Sequence, residues 1–395
     1  MSTSRTKPIG PGEVLLHIGP HKTGTTAIQA ALAAARAELA ARHGVVYPGD
    51  RRSQADAARV ASGFVSTTGA PMPPADAWDA VVAEVRGHRG RSVVSSEFFD
   101  VVQPDRGRRI VDELGGVDRV EVVVTAAPLT SVLPSSWQQA VRSSLTTGFE
   151  DWLREIFDDH ASGASSTFWT RQRIDRQIER WADVVGLDRV RLVISDKTRP
   201  RQLFDAFEDL LDLPRETLTP QPAAANRSFT WPEIELVRAV NQRVAARGWS
   251  AAVHARFVRI GAVHQMRKRR PRPDEPTVVL PAWAVDQAIE IAHTMVERIE
   301  ASGVEVVGDP AALVAPPSVR VEALEPVRQV GLEIAVRAII GAMRGGGADV
   351  LREKAVTRAT VQEYPGVSSA PTELLRAELE RREGRRGLRR LGRRR

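Results

Sequence analysis

The stretch Val14-Leu15-Leu16-His17-Ile18-Gly19-Pro20-His21-Lys22-Thr23-Gly24-Thr25-Thr26 decides how the chain is read. Val14 to Ile18 reads as a buried strand. Gly19 and Gly24 bound a tight loop. From Thr25 to about Arg42 the residues Ile28, Leu32, Ala35 and Leu39 recur at helical spacing, and Gly44 stops the helix. A strand, Gly loop and helix in this order turn backbone N–H groups toward one point, where the positive end of the helix dipole also lies. Lys22 adds a cation within the loop, and two hydroxyls open the helix. Gly19, Lys22, Thr23, Gly24, Thr25 and Thr26 are therefore expected to cradle a phosphate. The plainer alternative is a corner that uses Gly only to turn, which leaves the Lys and the Thr pair without a purpose.

The loop of nucleotide hydrolases, G-x-x-x-x-G-K-[ST], shares the spacing of Gly19 and Gly24. Its Lys does not fit, because Thr25 stands at that position and Lys22 comes three residues earlier. The observed Gly-x-x-Lys-Thr-Gly-Thr-Thr spacing resembles the 5′-phosphosulfate loop of sulfotransferases. Those enzymes take 3′-phosphoadenosine-5′-phosphosulfate (PAPS) as donor. Their second conserved feature is a strand ending in Arg, with a Ser eight residues later at a helix start; together these hold the donor's 3′-phosphate. Here Ser135 lies eight residues after Ala127, which takes the place of the Arg. Arg142, Arg171 and Arg173 are candidate substitutes. Leu133 to Gln139, Arg180-Trp181, Leu203 to Pro214 and Asn226-Arg227-Ser228 resemble further segments of bacterial sulfotransferase-like proteins. Their order is right over roughly residues 13–310.

The resemblance implies a P-loop-type three-layer α/β/α fold with a central parallel sheet. It also implies PAPS as co-substrate, no metal, and a small-molecule or glycan acceptor bearing a hydroxyl. Lys22 would stabilise charge on the leaving phosphate oxygen, Thr25 and Thr26 would hold the 5′-phosphate, and Ser135 the 3′-phosphate. A base for the acceptor is sought among residues following strands, since ligands of parallel sheets sit beyond the strands' carboxyl ends. Glu97, just after the apolar run Ser92 to Ser95, is the favoured base and His21 its competitor. His17, within a strand, is expected to pack in the core. Phe98, Phe99, Trp137 and Trp169 are read either as an aromatic acceptor wall or as core. Two other functions remain open. One is a sulfotransferase-like binding protein without catalysis, suggested by Ala127. The other is an ATP- or GTP-dependent kinase or NTPase, disfavoured by the displaced Lys and by the lack of an acidic strand end for Mg²⁺.

Further strands are expected at Val45–Tyr47, Val120–Thr125, Asp188–Ile194 and Val304–Val307, separated by helical stretches. The segments Ser95–Glu97 and Thr125–Ser135 are expected to meet the Gly loop at one crevice. Arg267–Pro273, basic and Pro-rich, reads as an exposed loop. Residues 1–317 are assigned to the α/β domain and 318–395 to a helical extension with a basic tail.

The 395-residue chain contains no Cys, which excludes disulfides and thiolate chemistry, and no apolar run suited to a membrane span or signal peptide. A cytoplasmic protein is expected. The formal net charge is +7, and the ten Arg and three Glu between Arg376 and Arg395 account for all of it. A neutral body with a basic tail does not suggest specific nucleic-acid binding, although the tail is a candidate contact for anionic surfaces. Only five Lys occur, and one of them, Lys22, sits in the Gly loop.

Overall fold

The structure, a computed structural model, describes residues 6–65, 72–164, 166–221 and 227–363, with side chains to residue 347. Asn226, the end of the 217–225 segment and the basic tail lie outside the described residues. In chain order the elements are β1 (Val14–Ile18), α1 (Thr25–His43), β2 (Val45–Val46), α2 (Ala55–Ser62), α3 (Ala77–Gly87), β3 (Arg91–Ser95), α4 (Pro104–Leu114), β4 (Val120–Ala126) and α5 (Leu129–Arg142). They continue with α6 (Phe149–Ser162), α7 (Thr167–Gln172), α8 (Ile174–Val185), β5 (Val190–Ile194), α9 (Pro200–Leu210), α10 (Trp231–Ala246) and α11 (Ala251–His254). A π-helical run, Ala255–Val263, joins α11 to α12 (His264–Met266), followed by α13 (Ala282–Ser302), β6 (Glu305–Val307), α14 (Ala311–Val314) and α15 (Leu332–Glu363).

The six strands form one parallel sheet in the order β2-β3-β1-β4-β5-β6. The inner strands β1 and β4 are buried at every residue, because helices cover both faces of the sheet. One face packs Leu16, Ile18, Val122 and Val124 against α4, α8 and α13. The other packs Leu15, Val93, Val123 and Val193 against Ile28 and Leu32 of α1 and Phe204 and Phe207 of α9. The result is the three-layer α/β/α architecture. Among the described residues no helix is long and apolar enough to cross a membrane.

Two segments differ from the sequence reading. Helix α5 begins at Leu129, directly after Pro128, six residues before the helix start expected at Ser135. Ser135 is its seventh residue and not at its start. Burial of Val132, Leu133 and Trp137 holds this first half together despite Pro134, which removes an N–H donor. The second difference is Arg269, which is buried rather than exposed. It pairs with Glu233 of α10 at 2.9 Å, with Glu333 of α15 at 3.2 Å, and with Glu275. Three carboxylates drawn from separate segments offset the cost of burying the guanidinium.

Helix α15 crosses the π-helical run at close range. A Cβ on Gly341 would lie 2.5 Å from the carbonyl oxygen of Gly261, and one on Gly345 would lie 2.2 Å from that of Arg256. Both positions demand Gly because backbone meets backbone there.

Candidate functional site

The carboxyl ends of β1, β3 and β4 are tied together beneath the Gly loop by a chain of side-chain hydrogen bonds. Thr23 donates its hydroxyl to Pro20 O at 2.8 Å and lies 2.7 Å from Thr125 Oγ1. Since Thr23 has given away its one hydrogen, Thr125 must donate to Thr23. Thr125 then accepts from His17 Nε2–H at 3.3 Å. His17 Nδ1 is left to accept the Ser95 hydroxyl at 2.8 Å. Gln29 of α1 closes the chain by donating to Ser95 O at 3.1 Å. The His17 ring is fully buried, and burial pushes its pKa down to about 3, so it stays neutral in this role.

The loop above this floor is shaped by two tight fits. Thr25 donates its hydroxyl to Gly19 O at 2.9 Å. A Cβ on Gly19 would stand 1.9 Å from that Thr25 oxygen and 2.9 Å from His17 Nε2. Gly24, the N-cap of α1, has φ 102°, and a Cβ there would meet Leu203 Cδ2 of α9 at 2.5 Å. Thr23 and Thr25 are thus engaged in holding the loop. Among the described residues, the N–H groups of Lys22, Gly24, Thr25 and Thr26 have no backbone acceptor. Helix α1 has no acidic residue in its first turn and no side-chain cap, so the positive end of its dipole is uncompensated.

Lys22 adopts a left-handed backbone conformation, φ 77°, which a non-Gly residue takes only at some cost. Its amine is pushed down to about 8, first by burial and then by Arg142, Arg267 and Lys197. Among the described residues no carboxylate pairs with Lys22. Arg142 is held down to about 10 by burial and by Arg267, and burial likewise lowers Arg267, with Arg227 and Arg52 adding to it. Lys22 is therefore within electrostatic reach of further cations that disfavour its charge, a field that favours an anion.

Glu97 stands at the start of a 3-10 turn, Glu97–Phe99, directly after β3. It is half-buried, and the preceding Ser96 caps the turn by accepting from Phe98 N at 3.2 Å. Behind it lies Asp100, fully buried, whose carboxyl burial pushes up to about 7 against the opposing pull of Arg171. Arg171 Nη1 is 3.3 Å from Asp100 Oδ2 but misaligned for a hydrogen bond. Arg171 also acts on His21, which burial, Arg171 and Lys22 together push down to about 3. The neighbouring Gln172 donates to His21 O at 3.4 Å. The α7–α8 corner thus braces both the Glu97 turn and the Gly loop.

No protein-family profile matches the sequence, and no characterised protein matches it significantly. Among solved structures, the chain is similar to a sulfotransferase from Alicyclobacillus acidocaldarius, with TM-score 0.39 and 15% identity over 75% of this chain and 96% of that one. It is also similar to the sulfotransferase domain of the olefin synthase from Synechococcus PCC 7002, with TM-score 0.25 and 16% identity over 62% of this chain and 97% of that one.

Of the sequence-derived residues, the structure brings Gly19 to Thr26, His21 and Glu97 to the carboxyl edge of neighbouring strands. Ser135 is half-buried inside α5 and donates its hydroxyl to Ser131 O at 3.1 Å. Of the three arginines considered as substitutes at Ala127, Arg171 is paired with Asp100 and Arg173 with Asp175. Arg142 has no ion pair among the described residues and reaches Lys22 electrostatically. Phe99, Trp137 and Trp169 are buried core residues. Phe98 is half-buried, with its ring 4.9 Å from that of Phe64. Sequence reasoning missed Arg267, Asp100 and Thr125. The alternating polar residues His17, Ser95 and Thr125 at strand ends were the signal available for the floor.

Proposed function

We propose that the chain is a PAPS-dependent sulfotransferase that moves a sulfuryl group to a hydroxyl of a carbohydrate, lipid or secondary metabolite. The observation that carries this reading is Lys22, an unpaired and desolvated cation held in a left-handed turn beside the free N–H groups of the loop. In this reading Lys22, Thr26 and the loop N–H groups bind the 5′-phosphosulfate. As the acceptor oxygen forms its bond to sulfur, the bond from sulfur to the 5′-phosphate oxygen breaks. Lys22 offsets the charge that grows on that oxygen. Glu97 takes the acceptor's proton. The product nucleotide is 3′-phosphoadenosine-5′-phosphate (PAP). His21, neutral at ordinary pH, is the competing base.

Calorimetric titration with PAP tests the donor site. Wild type is expected to bind, and Lys22→Ala to lose affinity by about 10²-fold, as for removal of one oxyanion donor. No binding at millimolar PAP sinks the reading. Glu97→Gln is expected to leave PAP affinity near normal while transfer falls by at least ~10²-fold. Unchanged transfer would move the base to His21. Ala127 favours a second reading, a binding protein of the same fold without turnover. A large gain in PAP affinity for Ala127→Arg would support it.

A further inference from the structure

Helix α15 inverts the pattern of a surface helix, whose larger apolar residues normally face inward. At about 100° per residue, Leu332, Val336, Ile339, Ile340 and Met343 form one row along it. The row faces away from Gly341 and Gly345, where the π-helical run crosses. Leu332 is 80% exposed, Met343 69% and Ile339 59%, whereas Ile334 on the crossing side is 3% exposed. Single exposed aliphatic residues are ordinary, but a contiguous row of them marks a surface that meets a partner.

The order of these residues identifies the partner. Val336 stands three residues before Ile339, and Met343 three residues after Ile340. The row therefore reads alike in both directions. Two copies laid antiparallel across a two-fold axis at Ile339 and Ile340 would set Val336 of one against the partner's Met343. Charge agrees with this arrangement. Glu333 and Arg344, about three turns apart, lie on one flank of the row. The two-fold axis keeps that flank on the same side in both copies and brings Glu333 to about 3 Å, measured along the helix, from the partner's Arg344. A parallel pair sets Arg344 level with the partner's Arg344 and offers Glu333 no such mate. A lipid surface fits less well, because helices that lie on lipid carry Lys and Arg beside the apolar face. Here Glu333 is held on the flank by Arg337 at 3.1 Å and Arg269 at 3.2 Å.

We propose that the chain forms a symmetric dimer through the outer face of α15, with the two copies of this helix packed antiparallel about Ile339 and Ile340. The bare backbone crossing at Gly261 and Gly341 backs the helix from behind, so the row is presented at little cost in ordering. The dimer stands apart from the sulfuryl-transfer reading, because no residue of the Gly loop or of the Glu97 turn takes part in it.

The full chain has a mass of 43.2 kDa, and light scattering after size exclusion at tens of micromolar is expected to give twice that. Ile339→Glu places two unpaired carboxylates at the axis and should weaken the dimer by at least ~10²-fold. Its far-UV circular dichroism should match wild type, because the side chain is exposed in the single chain. Crosslinking reads the register. The chain has no Cys, so Val336→Cys and Met343→Cys each introduce one thiol. In the antiparallel pair, identical positions stand about 10 Å apart along the helix, too far for a disulfide. Neither variant alone should crosslink on oxidation, and an equal mixture of the two should. The proposal is overturned if the wild-type mass stays at 43.2 kDa. In that case flotation with phosphatidylglycerol vesicles, lost in Ile339→Glu, would give the row to a lipid surface, and a lowered Tm for Ile339→Glu would give it to a segment of the same chain. It is equally overturned if Ile339→Glu dimerises as tightly as wild type, or if either thiol variant alone crosslinks as well as the mixture does.

Discussion

The floor of the crevice and its wall are built on opposite principles. In the floor, Thr23, Thr125, His17, Ser95 and Gln29 satisfy one another in a chain that runs across three strands. In the wall, Lys22, Arg142 and Arg267 push against one another and lack carboxylate partners among the described residues. A satisfied network fixes positions, whereas an unsatisfied cluster stores a demand that a ligand meets. In the sulfuryl-transfer reading the floor serves stability and the wall binding, and the two should respond separately to change.

The largest effect is expected where the two meet. Gly19→Ala drives a methyl into the Thr25 oxygen and the His17 ring, so the loop cannot close over its floor. PAP affinity should fall by ~10²-fold or more, with a lowered Tm, because loop N–H groups and Lys22 lose their common focus. Near-normal PAP binding in this variant would show that the focus does not depend on the floor.

A smaller effect, of about tenfold, should come from titrating the wall alone. Lys22 is pushed down to about 8, so its cation is complete at pH 7 and below and is lost as pH rises through 8. PAP affinity should therefore be nearly flat from pH 6 to 7 and decline toward pH 9, while Tm rises slightly over the same range as the buried charge and its desolvation cost are lost. Lys22→Arg keeps its charge throughout and should abolish the decline. A decline that persists in that variant assigns the titration to another group.

The smallest effect should come from the floor alone. Thr125→Val removes the hydroxyl that links Thr23 to His17. A loss of about 1–3 kcal/mol in denaturant unfolding is expected, the cost of an unsatisfied buried group. PAP affinity should change less than in the other two experiments. A stable Thr125→Val variant with poor affinity would reverse the division of labour.

How much of this was legible in the sequence follows the range of the interactions. The β1–loop–α1 unit was readable because its determinants are local. Apolar periodicity, Gly24 at a left-handed N-cap and Gly44 at the C-cap lie within about thirty residues of one another. The remaining strands were readable as β-branched runs, with ends displaced by one or two residues. The start of helix α5 was not, since Ser135 was placed at a helix start, while the contacts that carry helix back to Leu129 through Pro134 come from the core around Trp137. The burial of Arg269 was hidden for the same reason, its carboxylates arriving from α10, residue 275 and α15. The cationic wall was half visible. Lys22 stood out in a chain with five Lys, but the approach of Arg142 and Arg267 depends on packing between remote helices.

The crossing of Gly261 and Gly341 gives the crevice two separate ancestries of shape. Lys22 and its loop follow directly from β1, near the centre of the sheet, which an altered sequence can hardly remodel without unfolding. Ile260, Val263 and Arg267 are carried instead on a segment indexed against α15 through bare backbone contact. Drift in the residues around that crossing would shift this segment by small steps while the sheet stayed still, so one helical joint can change the surface beside α5 without disturbing the strands.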